Sequence, residues 1–248
     1  MRSPSSFFRE FPLLLIWGAT VALLPLAPAV ADEPKPDDPS PQQILDRMAK
    51  VYAGCKTYRD SGVVITVFVE GVFGKRTVEK PFTTAFVRPD RFRFEYKDTR
   101  TGSGQSRYIV WSDGKAVQTW WDVGARLQKP ESLGLALAGA TGVSGGSAHT
   151  IPALLLPDEV GGRRLTDIKE LRRAEDGKLE KVECFRIEGK YAGVPTTLWI
   201  DKKSYVVRRI DEQEKFDNFR TEETTTYEPI IDEKITDEML EFAPPVQK

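Results

Sequence analysis

Hydrophobic and polar positions alternate with two different periods along this chain, and the change of period divides it. After Ser40-Pro41-Gln42-Gln43, the apolar residues Ile44, Leu45, Met48, Val51 and Tyr52 fall on one stripe of an amphipathic helix ending near Gly54. A serine at the N-cap, a proline at N1 and a glutamine at N3 make a capping-box start for that helix. From Tyr58 onward the period drops to two. Tyr58 to Glu70 is rich in β-branched and aromatic residues, and Gly71 to Lys75 is a hairpin turn leading to Thr77–Val87. Arg91 to Tyr96 alternates strictly, with Phe92, Phe94 and Tyr96 on one face and Arg91, Arg93 and Glu95 on the other.

The pattern continues in kind. Gly102 to Gln105 is a loop, Ser106–Ser112 a strand, Asp113-Gly114 a tight hairpin and Lys115–Asp122 the returning strand. Further strands are expected over 164–173, 179–188, 194–200, 205–214 and 218–227, and near Ile230. A helical turn at Thr236–Leu240 follows. Some ten or eleven sequential strands and one N-terminal helix predict a mainly β fold with a large, strongly curved antiparallel sheet. The sequence shows no internal repeat and no second domain.

One segment belongs to neither period. Ser132 to Pro157 contain no Asp, Glu, Lys or Arg in a chain that is 29% charged. Solvated loops normally carry charge, so this stretch must lie against something apolar. Its many glycines, with Pro152, make it too weakly apolar for a transmembrane helix. Leu133–Ala138 and Ile151–Leu156 suit two short helices, with Gly142 to Ser147 as the hinge between them. Two readings stay open: a buried structural pair, or a helical lid over the mouth of the sheet that admits a hydrophobic ligand.

The N-terminus changes the cellular picture. Arg2 and Arg9 precede an apolar run from Phe11 to Ala29, and Ala29-Val30-Ala31 is a small-residue cleavage site. Pro12, Pro25 and Pro28 argue against a retained anchor, and no cysteine at the cut offers a lipid attachment point. Residues 1–31 are therefore expected to be a signal peptide cleaved after Ala31, placing the protein in the periplasm. Residues 32–40 read as a disordered leader and 41–248 as one domain. In that oxidising compartment the two cysteines, Cys55 and Cys184, suggest a disulfide, the alternative being two separately buried thiols.

Charge and chemistry mostly exclude. The net charge is -1 with the signs interspersed, so nucleic acid is not an expected partner. The single histidine, His149, sits inside the charge-free window and reads as incidental. Nothing has the spacing of a metal site, a nucleophile motif or a nucleotide loop. No enzyme, cofactor, metal or catalytic residue is expected. Aromatic residues carry more: Phe92, Phe94, Trp111, Trp121 and Trp199 are candidates for the concave wall of a ligand cavity, with Leu135 and Leu155 contributing from its cover. The adjacent Trp120 and Trp121 must point to opposite faces.

Several phrases, taken in order, resemble the outer-membrane lipoprotein carrier superfamily. They are the helix ILDRMAKVYAGCKTYRDSG, the strand RPDRFRFEY, the hairpins IVWSDGKAV and LWIDKKSYVVRRI, and the terminal FAPP, together covering about 42–246. The resemblance implies an unclosed β-barrel around a helix, with helical lid segments over an apolar cavity. It also implies that Arg93 anchors the lid or a ligand head group. The function so implied is a periplasmic, non-enzymatic carrier or binding protein for lipid or acyl chains. The expected partner is a lipid or an acylated lipoprotein; the alternative is an envelope sensor or interaction module docking a membrane protein. The chain is read as a monomer.

Overall fold

The computed structural model describes residues 38–70, 74–98 and 106–245. The signal segment, most of the leader, and the greater part of the turns expected at 71–75 and 102–105 lie outside the described residues. Residues 39–248 form one compact unit.

Helix α1 (Pro41–Gly54) begins with the capping box read from the sequence: the Ser40 hydroxyl accepts from the Gln43 amide, and the Gln43 side chain accepts from the Ser40 amide. Its stripe of Ile44, Leu45, Met48 and Tyr52 is fully buried. The chain then lays down β1 (Thr57–Glu70), β2 (Gly74–Val87), β3 (Arg91–Asp98), β4 (Ser106–Asp113), β5 (Val117–Trp121) and the short β6 (Arg126–Gln128). Each pairs antiparallel with its predecessor.

Three helices interrupt the sheet: α2 (Leu133–Ser144), α3 (Ser147–Thr150) and α4 (Pro152–Leu155). A 3-10 turn at Leu165–Asp167 then leads to β7 (Lys169–Arg173), β8 (Gly177–Leu179), β9 (Val182–Tyr191), β10 (Val194–Asp201), β11 (Val207–Lys215), β12 (Arg220–Tyr227) and β13 (Ile230–Ile231). Helix α5 (Asp237–Leu240) closes the described chain.

Thirteen described strands form one sheet in the order β6-β5-β4-β3-β2-β1-β12-β11-β10-β9-β7, with β13 added to β1 and β8 to β9. The two arms meet at β1, which pairs with both β2 and β12, and the sheet ends on β6 and β7 without closing. It is the large antiparallel sheet the alternation predicts, unclosed as the resemblance implies. The short β6 and β8 escaped the sequence reading because three residues are too few to establish a period.

One apolar core occupies the concave side. Tyr58 and Val64 of β1, Phe82 and Phe86 of β2, Phe92, Phe94 and Tyr96 of β3, and Leu198 and Ile200 of β10 pack there with α1 and α2–α4. A second, smaller cluster lies on the convex side, where Ile109, Trp111 and Trp120 are covered by Phe242 of the C-terminal segment.

The expected disulfide is not formed: Cys55 and Cys184 are both free and buried. The alternation of β9 gives the reason. Phe185 and Ile187 face the concave core, so Cys184 points to the opposite face, while Cys55, at the end of α1, belongs to that core. The Cys55 thiol donates to the Tyr52 carbonyl at 3.2 Å, and Cys184 to that of Val182 at 3.6 Å. Burial raises the pKa of both, Cys184 to about 11, which leaves them inert. A reductant is therefore expected to leave the thermal midpoint unchanged, with thiol reagent reacting only after unfolding. A midpoint that falls on reduction would contradict the separate placement of the two sulfurs.

Candidate functional site: the helical cover of the concave face

The charge-free window is the cover of the concave face. Helix α2 starts on Ser132, whose hydroxyl accepts from the Leu135 amide, and runs through Gly142 to end at Gly145 in the left-handed conformation (φ 66°). Gly146 follows at φ 81°, so the break between α2 and α3 is two consecutive residues of a kind that side chains resist. The hinge is thus narrower than the window 142–147, and a side chain at Gly145 would also press on Val64 of the sheet. Beyond it, Thr150 of α3 donates to the Gly146 carbonyl at 3.1 Å, and His149 Nε2 lies 2.8 Å from the Gly161 carbonyl, tying α3 to the chain that leaves the cover.

The cover is apolar on both sides. Leu133, Ala136, Leu137 and Ala140 of α2, with Ile151, Leu154 and Leu155 beyond it, are buried in the concave core. The outward side of α2 shows Leu135, 57% exposed, beside Ala138, Gly139 and Gly142, with no charge among them. A helix apolar all round is at home within a protein or against a second apolar phase. Next to it, Tyr108, Pro130, Leu135 and Gly139 border a groove of about 500 Å³ between α2 and the sheet edge.

Arg88 holds the cover down. This residue, in the turn between β2 and β3, donates from Nε to the Cys55 carbonyl at 2.9 Å and from Nη2 to those of Tyr52 at 3.3 Å and Leu155 at 3.1 Å. Its guanidinium lies 5.1 Å from the centre of the Phe86 ring. The carbonyls of a helix's last turn lack internal partners and form the negative end of its dipole, so one arginine satisfies the ends of both α1 and α4. The partners are far away in sequence, and Arg88 sits in a turn outside the strand alternation, so no local signal marks it.

The structure divides the residues the sequence singled out. Phe92, Phe94 and Leu155 lie together in the concave core. Trp121 is on the same side at its rim, 36% exposed and 6.0 Å from the Tyr108 ring, while Trp120 points to the convex side as the alternation requires. Leu135 is on the outer surface of the cover. Trp111 and Trp199 face away from the cavity. Trp111 packs on Phe242, and Trp199 donates to Asp211 Oδ2 at 2.8 Å between Arg186 and Arg209. Arg93 is likewise convex: it pairs with Glu95 at 2.5 Å and donates to the Glu241 carbonyl at 2.9 Å, anchoring the C-terminal segment instead of the cover. The alternation that puts Phe92 and Phe94 inside obliges Arg93 to point out.

Beneath the cover the core also contains polar groups. Tyr52 accepts from the Val207 amide at 3.0 Å, and Tyr58 donates to Asp60 Oδ2 at 2.7 Å. Burial raises the Asp60 carboxyl to about 6 against that hydrogen bond. Among the described residues, no three His, Cys, Asp or Glu side chains come together as metal ligands, and no helix is long and apolar enough to cross a membrane.

An unclosed antiparallel sheet whose concave face is covered by uncharged helices, broken at two left-handed glycines, is the class this geometry defines. The chain belongs to the DUF2092 family of predicted periplasmic proteins, whose model matches residues 42–248. No curated protein matches it. Solved structures of similar fold include an outer-membrane lipoprotein-sorting protein domain from Vibrio parahaemolyticus, 9% identical over 79% of this chain and 94% of that one, with a TM-score of 0.35. A LolA superfamily protein from Nitrosomonas europaea is 9% identical over 83% and 99%, with a TM-score of 0.29. A chain of the Pseudomonas aeruginosa MucA/MucB complex is 9% identical over 82% of this chain and 61% of that one, with a TM-score of 0.33.

Proposed function

We propose that the protein is a non-enzymatic periplasmic binding protein or carrier for a lipid acyl chain. The chain enters the concave face when α2–α4 swing away from it. The observation that supports this reading is the cover itself. It is uncharged on both surfaces, broken at Gly145–Gly146, and bonded at its far end by Arg88, which donates to the Leu155 carbonyl. A cover that served only to fill the core would need no apolar outer surface. In the closed state the aromatic side chains under α2–α4 pack on the cover, and on opening they line the space an acyl chain would take. Export by cleavage after Ala31 belongs to the same proposal.

Native mass spectrometry of protein purified from periplasm tests it, together with uptake of a fluorescent fatty acid by the delipidated protein. Bound acyl lipid and saturable uptake are the expected results. A protein that carries no lipid and takes up no probe would overturn the reading. If it instead co-purified in stoichiometric amount with an envelope membrane protein, the interaction-module alternative would replace it.

A further inference from the structure

A second cavity lies on the opposite face of the sheet from the cover. It is a cleft of about 550 Å³, within the size range of small-molecule sites. Three guanidinium groups line it, from Arg59, Arg93 and Arg208. Their convergence follows from register. Arg59 of β1 stands opposite Ala85 of β2, and Ala85 stands opposite Arg93 of β3, so the two arginines flank one small residue. Arg208 comes from the other arm. Trp199 faces Arg209 and Ile200 faces Val207, which leaves Arg208 as the extra residue of a β-bulge. Bulges re-aim side chains next to functional sites, and this one turns a cation into the cleft.

Among the described residues each of these guanidinium groups has one carboxylate partner, Arg93 pairing with Glu95 at 2.5 Å, and each keeps an unbonded Nε. Arg59 pairs with Glu233 at 3.4 Å, a carboxylate that is 62% exposed. Arg208 pairs with Asp201 at 3.1 Å. The Nε atoms of Arg59, Arg93 and Arg208 are all buried without a hydrogen-bond partner among the described residues. Two acids also line the cleft: Glu228 accepts from the Ser61 hydroxyl at 2.8 Å, and the Asp60 carboxyl is turned to Tyr58 on the concave side. The remaining wall is apolar, built from Ala85, Pro229, Ile230 and Met239. Clustered guanidinium groups favour carboxylate or phosphate, and the apolar wall favours a carbon body attached to it.

We infer that this convex cleft binds a small amphiphilic anion, one carboxylate or phosphate group carried on a short apolar body. The inference is independent of acyl binding under the cover, since the two sites lie on opposite faces of the sheet.

Calorimetric titration with hexanoate, hexyl phosphate and inorganic phosphate tests it. Hexanoate or hexyl phosphate is expected to bind, with inorganic phosphate about tenfold weaker for want of the apolar contact. In the Arg59→Gln/Arg208→Gln variant the affinity should fall by about tenfold or more. Arg93 is left in place because it holds the C-terminal segment. A readout on the unaltered protein guards against a misfolded variant: on titration the Met239 methyl resonance should shift while that of Met48, on the buried stripe of α1 in the concave core, stays fixed. The inference fails if no probe binds, if inorganic phosphate binds as tightly as the amphiphiles, or if affinity survives the double substitution. It fails equally if Met48 shifts and Met239 does not, which would place the anion beneath the cover.

Discussion

Replacing Arg88 with methionine is expected to lower the thermal midpoint by about 8 °C and to expose the amides of α3 and α4 to hydrogen exchange. The argument rests on three carbonyls. Tyr52 and Cys55 end α1, and Leu155 ends α4; all three accept from this one side chain in a partly buried setting. A hydrogen bond from a charged donor contributes about 1.5–3 kcal/mol, and the three share one guanidinium, so the loss is about 3 kcal/mol rather than the sum. For a domain of this size each kcal/mol moves the midpoint by about 2–4 °C. Methionine retains the apolar stem over Phe86, which isolates the polar loss. Lysine restores the charge but not the fork that reaches two helix ends, so Arg88→Lys should recover only part of the stability. Exchange carries the specific claim: protection should fall in α3 and α4 while β1 and β2 keep theirs. Uniform loss across the sheet, or no loss in α3 and α4, would show that Arg88 is not the fastening of the cover.

The contrast between Arg88 and Arg93 shows what the chain discloses and what it withholds. Period-two alternation is a local property, and it located Phe92 and Phe94 on the core face of β3 and separated Trp120 from Trp121 without any knowledge of the sheet. The capping box of α1 and the two-part cover were legible for the same reason, since caps, glycines and missing charges act within a few residues. Choosing which face of a strand is concave requires knowing how that strand packs. Trp111 and Trp199 are cavity candidates on their chemistry alone, and they stand on the convex side. Arg88 and Leu155 meet only through the fold. The same holds for the cysteines: both are buried, as cysteines often are, but a bond between them needed a shared face that no composition argument supplies. The convex cleft depends on register across five strands and on a bulge, neither of which leaves a signature in sequence.

Asp60→Asn is expected to stabilise the protein at pH 8 by up to about 3 kcal/mol and to remove part of its stabilisation by acid. Asp60 lies in the core with Tyr58 against its Oδ2 and, among the described residues, no close partner for its Oδ1; burial, opposed by Tyr58 and Thr84, raises its pKa from 3.8 to about 6. Between those values the folded protein holds a proton that the unfolded chain has released. Stability therefore falls as pH rises through that window. The cost of ionised Asp60 is fully present above about pH 7, is relieved as pH falls through 6, and is gone below about 3.8. A shift of that size corresponds to about 3 kcal/mol. Glu212 is raised to about 7, by burial and then by Glu223, and adds a slope of the same sign, so the comparison of wild type with variant isolates Asp60. Asp122, Asp176 and Asp201 are lowered, and their contributions are lost only below the window. Asparagine keeps the size of the side chain and an oxygen to accept from Tyr58 while carrying no charge. Denaturant unfolding from pH 4.5 to 8 should give curves for the two proteins that converge at the acid end and separate at the alkaline end. Parallel curves would mean that Asp60 is not the buried acid described. A variant less stable than wild type at pH 8 would mean that the ionised carboxylate is a net contributor to the core, held by partners stronger than Tyr58 and Thr84.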